Sequence, residues 1–220
     1  MRPMKRVYYF TPPDHALENL QYKRLKVSRF SQCNDPFELA AFSQRNREIC
    51  RQHHLWLDDM DTKNGLLCFC RSWRNPVMWA HYARNHTGVC YGFDVDPAIF
   101  VDVRYVSERL YPNLTLSNFF AHVGKDQMAD LFATKFIHWS YEEEVRHLVP
   151  FSDIVPGSEL SFLEFSDSMQ LKEVILGPKC KIKTSDVMAL TSKKLIDVFK
   201  ARLAFQRVEV VRQENRSLWD

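Results

Sequence analysis

Glycine is scarce in this chain, 6 residues in 220. That scarcity argues against the glycine-rich loops that cradle phosphates, and no such motif is found. No apolar run approaches the length needed to cross a bilayer. The opening Met1-Arg2-Pro3-Met4-Lys5-Arg6 lacks the apolar segment of a secretion signal. None of the six cysteines (Cys33, Cys50, Cys68, Cys70, Cys90, Cys180) forms a C-x-x-C pair. Reduced, mostly buried thiols in a bacterial-type cytoplasmic protein are therefore expected. Internal repeats, low-complexity tracts and linkers are also missing.

What remains is an ordinary globular composition, 45% hydrophobic and 26% charged, enriched in aromatics at 13%. The net charge of +3 permits an acidic or nucleic-acid partner without requiring one. The length fits a single domain spanning 1–220, with a core over 7–176 and a helix-and-strand elaboration over 177–220.

Short strands are expected at Val7–Phe10, Arg24–Ser28, Leu66–Cys70, Val89–Asp94, 99–106, 143–149, 159–165, 171–176 and Leu203–Val211. Helices are expected from Asp14 to Tyr22, capped by Thr11 or Asp14, and over 38–61, Val77–Ala83, 115–137 and 185–200. Asn75-Pro76 suits a helix start. This order implies an α+β fold, with short strands in mixed, mostly antiparallel sheets flanked by helices.

The densest chemistry lies at Lys135 to Leu148, where Trp139 and Tyr141 precede three acids and Arg146. If 143–149 is a strand, alternation puts Glu142, Glu144 and Arg146 on one side. Carboxylates that close do not both ionise cheaply without a cation, water or ligand between them. A solvated acidic turn neutralised by Arg146 is the bland alternative. Polar groups also sit beside aromatics at Tyr9-Phe10-Thr11, at Ser28 through Glu38 and at Met78-Trp79-x-His81-Tyr82 with His86. Trp79 and Tyr82 could equally be core, and His81 a helix-end residue. No histidine pair adds ligands at zinc spacing, so no metal is expected. A Cys68 or Cys70 pair with His81 lacks an oxyanion-type glycine beside it.

Together these boxes resemble a largely bacterial family of uncharacterised proteins. They stand here as Tyr8-Tyr9, Asn34-Asp35-Pro36-Phe37-Glu38, Met78-Trp79-Ala80-His81-Tyr82-Ala83 with His86-Thr87-Gly88, and Trp139-Ser140-Tyr141-Glu142-Glu143-Glu144-Val145-Arg146. The segment from Val7 to Ser28 more weakly resembles the start of ADP-ribosyltransferases that modify nucleic acid. Tyr9 or Phe10 occupies the position where that group carries histidine.

The second resemblance implies an ADP-ribosyltransferase-like fold, with NAD consumed as substrate. It makes Glu144 the catalytic carboxylate and Glu142 its helper, with His81 a further candidate. NAD would meet Tyr9, Thr11, Ser28, Arg29, Asn34, Asp35, Trp79, Tyr82, Trp139, Tyr141 and Arg146, and Lys135 could join the arginines at the pyrophosphate. The implied role is a toxin or phage-defence effector acting on RNA, DNA or protein, with an antitoxin as possible partner and no membrane. The alternatives are a nuclease or hydrolase using His81, His86 and the acids, and a non-catalytic binding module. The basic residues of the last third, Lys179 to Arg216, read as a solvated face or a nucleic-acid footprint.

Overall fold

The computed structural model describes residues 3–40, 47–110, 125–153, 160–191 and 195–219. Its organising element is an eight-stranded, mostly antiparallel sheet ordered β12-β11-β10-β4-β1-β3-β8-β5. These strands are β1 (Lys5–Thr11), β3 (Asn64–Cys70), β4 (Val89–Val95), β5 (Val101–Asp102), β8 (Glu144–Pro150), β10 (Met169–Leu176), β11 (Asp197–Leu203) and β12 (Val210–Arg212). Two small ladders join β2 (Arg24–Val27) to β9 (Ser161–Glu164), and β6 (Arg104–Val106) to β7 (Thr134–Phe136). The helices are α1 (Pro13–Gln21), α2 (Arg47–Lys63), α3 (Pro76–Tyr82), α4 (Lys125–Phe132) and α5 (Thr184–Leu190). The fold is α+β, as the order of elements implies.

Alternation along the central strands sorts side chains onto two faces. Val7, Tyr9, Leu67, Phe69, Tyr91, Phe93, Val145 and Val174 face one way and form the larger core with Ala16, Leu20 and Val187 of α1 and α5. The opposite face divides. Under α3, Phe10, Cys70, Met78, Trp79, Cys90, Ile175 and Phe199 form a second core. Beyond β3, Phe30, Leu39 and Leu66 form a third, against Trp56 and Met60 of α2 and Phe132. Cys68, Glu144 and Arg146 lie on this face of β3 and β8. The polar site therefore opens between two apolar clusters that hold its walls.

Gly65 brings in one of those walls. A Cβ there would sit 2.5 Å from Val27 Cγ1 and 2.8 Å from Ser28 O. Only glycine lets β2 lean on β3 closely enough for Ser28 and Leu66 to exchange backbone hydrogen bonds of 2.9 and 2.8 Å.

Several elements differ from the sequence expectation. Neither Thr11 nor Asp14 caps α1: the N-cap is Pro12, with no side-chain bond, and a proline opens the helix. Asp35 to Ala40 is a turn rather than the start of the 38–61 helix, and Leu39 takes a left-handed φ of 55°. Residues 41–46 lie outside the described residues, as does 111–124 within the expected 115–137 helix, including Leu116, Phe119, Phe120 and Val123. The end of that expected helix is strand β7. The expected 185–200 helix stops at Leu190, and Asp197 onward pairs in parallel with β10 as β11. Val198, Phe199 and Ala201 alternate between the two cores there, and burial on both faces overrides helical periodicity. The last expected strand is a hairpin, broken between Leu203 and Val210. Strands β11 and β12, from the 177–220 elaboration, complete the main sheet.

Trp79 is fully buried, donates from Nε1 to Trp73 O at 2.6 Å, and meets the Phe10 ring edge-on at 5.0 Å. Trp79→Ala should therefore cost about 3–5 kcal/mol, read as a lower denaturant midpoint at unchanged slope.

Candidate functional site

A cleft of about 380 Å³ opens on the divided face. Strands β1 and β3 supply Tyr8, Phe10, Cys68 and Cys70, and α3 supplies Met78, His81 and Tyr82. Lys26, Ser28, Gln32, Cys33, Asn34 and Glu38 form the facing wall, with Lys135, Glu142 and Glu144 closing one end.

Helix α3 is set by its ends. Asn75 Oδ1 accepts from Val77 N at 2.9 Å, and Asn75 Nδ2 donates to Tyr141 O at 2.9 Å, so one side chain caps the helix and ties it to the acid segment. At the other end Arg84, Asn85 and His86 all have positive φ. This left-handed turn sends the chain to Gly88, where a Cβ would lie 2.1 Å from Thr11 O. His86 faces that packing, its carbonyl accepting from Lys179 N at 3.0 Å, and it does not line the cleft.

The wall at 34–38 is an Asx turn: Asp35 Oδ1 accepts from Phe37 N at 2.9 Å, and Asp35 O from Glu38 N at 3.0 Å. It aims Glu38 at Arg146, while Asn34 Nδ2 donates to Tyr82 Oη at 2.9 Å.

The acid segment converges by a route that alternation does not foresee. Glu142 ends a 3₁₀ turn, Ile137–Glu142, whereas Glu144 begins β8. Between them Glu143 adopts a left-handed φ of 44°, which costs a non-glycine residue about 1–2 kcal/mol. That reversal lets both neighbours reach Lys135, whose Nζ donates to Glu142 Oε2 at 2.6 Å and to Glu144 Oε2 at 3.1 Å.

Beyond Lys135 the ladder continues. Arg146 Nε and Nη2 donate to Glu144 at 2.7 and 3.1 Å, and Nη1 and Nη2 donate to Glu38 at 2.7 and 2.9 Å. Nη1 also reaches Phe132 O at 3.0 Å. At the other end Tyr82 Oη donates to Glu142 Oε1. All five charged groups are buried. Three carboxylates thus face two cations, so the cluster holds either one surplus negative charge or one extra proton.

The two central acids divide that burden unequally. Burial pushes the Glu142 carboxyl up, and Lys135 only partly offsets it. Burial also acts most strongly on Glu144, but the Arg146 guanidinium and Lys135 together outweigh it and hold that carboxyl down at about 2. Of the two acids, Glu142 is the one whose surroundings favour the protonated form. Burial works against the Lys135 ammonium as well, yet Glu144 and Glu142 keep it above its ordinary value. Burial, then the adjacent Glu142, pushes the Tyr82 phenol up. Burial raises Cys33 and Cys70 to about 12, which disfavours their thiolates at neutral pH.

Of the residues singled out from sequence, Tyr9, Ser28, Asn34, His81, Tyr82, Glu142 and Glu144 line the cleft. Trp139 and Tyr141 lie at its rim, with Lys135 Nζ 4.8 Å from the Trp139 ring centroid and the His81 and Tyr141 centroids 6.0 Å apart. The other positions do not line it. Thr11 is buried beside Pro12, Asp35 caps its turn, and Trp79 is core. Arg29 donates to Asp61 O at 2.6 Å on α2. Arg146 lies behind Glu144 and is committed to carboxylates. Sequence reasoning passed over Lys26, Gln32 and Cys33 as cleft residues, and Glu38 as the third carboxylate. Glu38 carried a signal in its box; Lys26 carried only strand alternation. Among the described residues no three His, Cys, Asp or Glu side chains are grouped as a metal site would need.

Residues 78–147 match the model of a family described as a protein of unknown function (DUF2971). The matched stretch runs from Met78 on α3 to His147 on β8, which fits the resemblance to an uncharacterised family and contains Tyr82, Lys135, Glu142, Glu144 and Arg146 but not Glu38. No curated protein and no solved structure matches the chain.

The charge count separates two variants. Glu142→Gln leaves two carboxylates against two cations and should cost less stability at pH 7 than Glu144→Gln. Glu144→Gln strips Arg146 and Lys135 of their shared partner and should cost about 3–5 kcal/mol. The pH profiles should also differ. Glu144, depressed in the fold, contributes stability that is present above the unfolded value near 4.5 and lost as pH falls toward about 2. Glu142, raised, costs stability as pH climbs from 4.5 through its folded value. Denaturant melts of Glu142→Gln should lack that decline and keep the acid-side loss.

Proposed function

We propose that the cleft is an active site that takes NAD and transfers its ADP-ribosyl group to an acceptor. The observation that carries the reading is the unbalanced cluster: three carboxylates against two cations at the closed end of an aromatic-walled cleft. Such an end favours a ligand that bears positive charge or develops it. The nicotinamide ring of NAD is cationic, and breaking its bond to ribose spreads positive charge over the sugar, as in glycoside cleavage.

The opposite wall supplies the complement. Lys26 faces the cleft with Ser28, Gln32 and Asn34, and among the described residues it makes no ion pair. It would hold the diphosphate that Arg29 and Arg146 are placed too far aside to reach. The volume of about 380 Å³ lies within the range of small-ligand sites.

In this reading the cationic ring compensates the surplus charge and lets Glu142 ionise. At about 4 Å and an effective dielectric near 20, that attraction is of order 4 kcal/mol. The ribose–nicotinamide bond then breaks with both electrons going to the nicotinamide nitrogen. The acceptor's lone pair forms the new bond at the ribose carbon, and its proton passes to Glu142. Glu144 is the positioning carboxylate: it fixes Lys135 and thereby the charge state of Glu142, because its own oxygens are taken by Lys135 and Arg146. Tyr8 and Tyr82 supply ring surfaces for the nicotinamide. A toxin or defence role follows if the acceptor is a cellular nucleic acid or protein.

The test is incubation with NAD labelled in the adenylate half, together with cell RNA, DNA and protein. Nicotinamide release and label transfer are expected, and Glu142→Gln should lower turnover about 10²–10⁴-fold. Lys26→Ala should raise KM for NAD about tenfold with kcat little changed. Absence of nicotinamide release under every acceptor condition would end the reading.

A further inference from the structure

The segment leading into Glu142 carries aromatic surface that the core covers only in part, at Tyr141. Phe136, Ile137 and His138 are exposed, and Trp139 and Tyr141 are half-buried. The Phe136 and His138 rings stack at 4.8 Å, 7° from parallel. Trp139 and Tyr141 follow at 6.1 Å, and Tyr141 and His81 at 6.0 Å. These rings form a ledge from strand β7 to the cleft mouth.

Beside the ledge lies a second cavity of about 350 Å³, lined by Phe37, Val106, Arg109, Thr134, Lys135 and Phe136 among others. Phe37 is 56% exposed, and the Arg109 guanidinium carbon lies 5.3 Å from its ring centroid. Lys135 borders both cavities, so the second one backs onto the Glu142–Lys135 pair.

The composition selects among ligands. Aliphatic chains would favour a continuous apolar lining, but Ser107, Glu108, Arg109 and Thr134 interrupt this one. A polyanion would look for uncompensated cations, but Lys135 in this lining is already paired with Glu142 at 2.6 Å and Glu144 at 3.1 Å. What fits is a flat π-face with polar edges. Aromatic rings take such faces by stacking, and the flanking polar groups meet the edges.

We propose that the ledge and second cavity form a nucleobase site. The base comes from a free nucleotide or from an unpaired position in a nucleic-acid strand. Its binding does not depend on the donor reading. If that reading holds, a base here lies beside the acid end of the cleft, as the acceptor.

The probes are the four nucleoside monophosphates, NAD, and fluorescein-labelled single-stranded and duplex RNA 12-mers, titrated against the full chain at two salt concentrations. Phe136→Ala and Phe37→Ala should each weaken binding about tenfold with a native melting profile retained. Phe205→Ala, on the distant β11–β12 hairpin, should leave it unchanged. Affinity should vary little between the salt concentrations, because stacking rather than phosphate pairing carries it. Single-strand binding without duplex binding identifies a strand base, whereas monophosphate or NAD binding without strand binding identifies a free nucleotide. Binding of no probe, or binding that both ledge variants leave intact, overturns the site. Ledge-dependent binding without nicotinamide release retains this inference and removes the donor reading; nicotinamide release with no ledge-dependent binding does the reverse.

Discussion

Arg146 is the group on which the rest of the site depends. A buried guanidinium is expensive, and it persists here because its donors are used against Glu144, Glu38 and the carbonyl of Phe132. Those partners come from different parts of the chain: the 34–38 turn, the end of α4, and β8 itself. Lysine could not replace it, since an ammonium has no planar fork to grip two carboxylates at once. The bond pattern fixes the distance between the cleft's far wall and the sheet. It also draws Glu144 into the ionised state, and this leaves Glu142 as the acid able to exchange a proton.

Two stretches of left-handed backbone complete the device. Glu143 turns the chain between the two acids, and Arg84 to His86 turn it after α3. Both cost free energy that ordinary loops avoid. The first brings two carboxylates to one lysine. The second carries the chain from α3 into β4, the strand paired with β1, where Gly88 abuts Thr11 and its N–H donates to Ala83 O at 2.8 Å. That packing holds Tyr82 over Glu142. The strain is held by surrounding hydrogen bonds, including Arg71 N to Glu143 O at 3.2 Å and His86 N to Trp79 O at 3.1 Å.

Much of this was legible in the residues. Short apolar and aromatic runs bounded by turn residues located β1, β3 and β4, alternation located β2, and Asn75-Pro76 announced α3, because those signals are local and the folded elements obey them. The convergence of Glu142, Glu144 and Arg146 was also anticipated, though from a continuous strand; the observed turn at Glu143 achieves it differently. The second half of the expected 185–200 helix and the end of the 115–137 helix failed where tertiary pairing overrode periodicity: β11 pairs with β10, and β7 with β6. Trp79 and Arg146 carry the right residue types for binding a cofactor, yet one faces a core and the other a ring of carboxylates. Which way a polar or aromatic side chain turns depends on partners distant in sequence, and no spacing encodes that. Glu38 and Lys26 illustrate the same gap from the other side: Glu38 stood in a box without a role until the fold set it against Arg146, and Lys26 did not stand out until the fold turned it to the cleft.

Lys135 raises a coupling that the sequence could not have suggested. Its ammonium neutralises the Glu142–Glu144 pair, while the residue also walls the second cavity. Filling that cavity would exclude water from the lysine and lower the effective dielectric around the cluster. Attraction between Lys135 and its carboxylates would strengthen, and so would the cost of the unmatched negative charge. The net effect falls on Glu142, since Glu144 is already held by Arg146. An occupant on one side of Lys135 would thus change the proton affinity of an acid on the other without moving the backbone. The ladder Tyr82–Glu142–Lys135–Glu144–Arg146–Glu38 offers a physical route for that coupling because each link is a charge-assisted hydrogen bond and every charged member is buried.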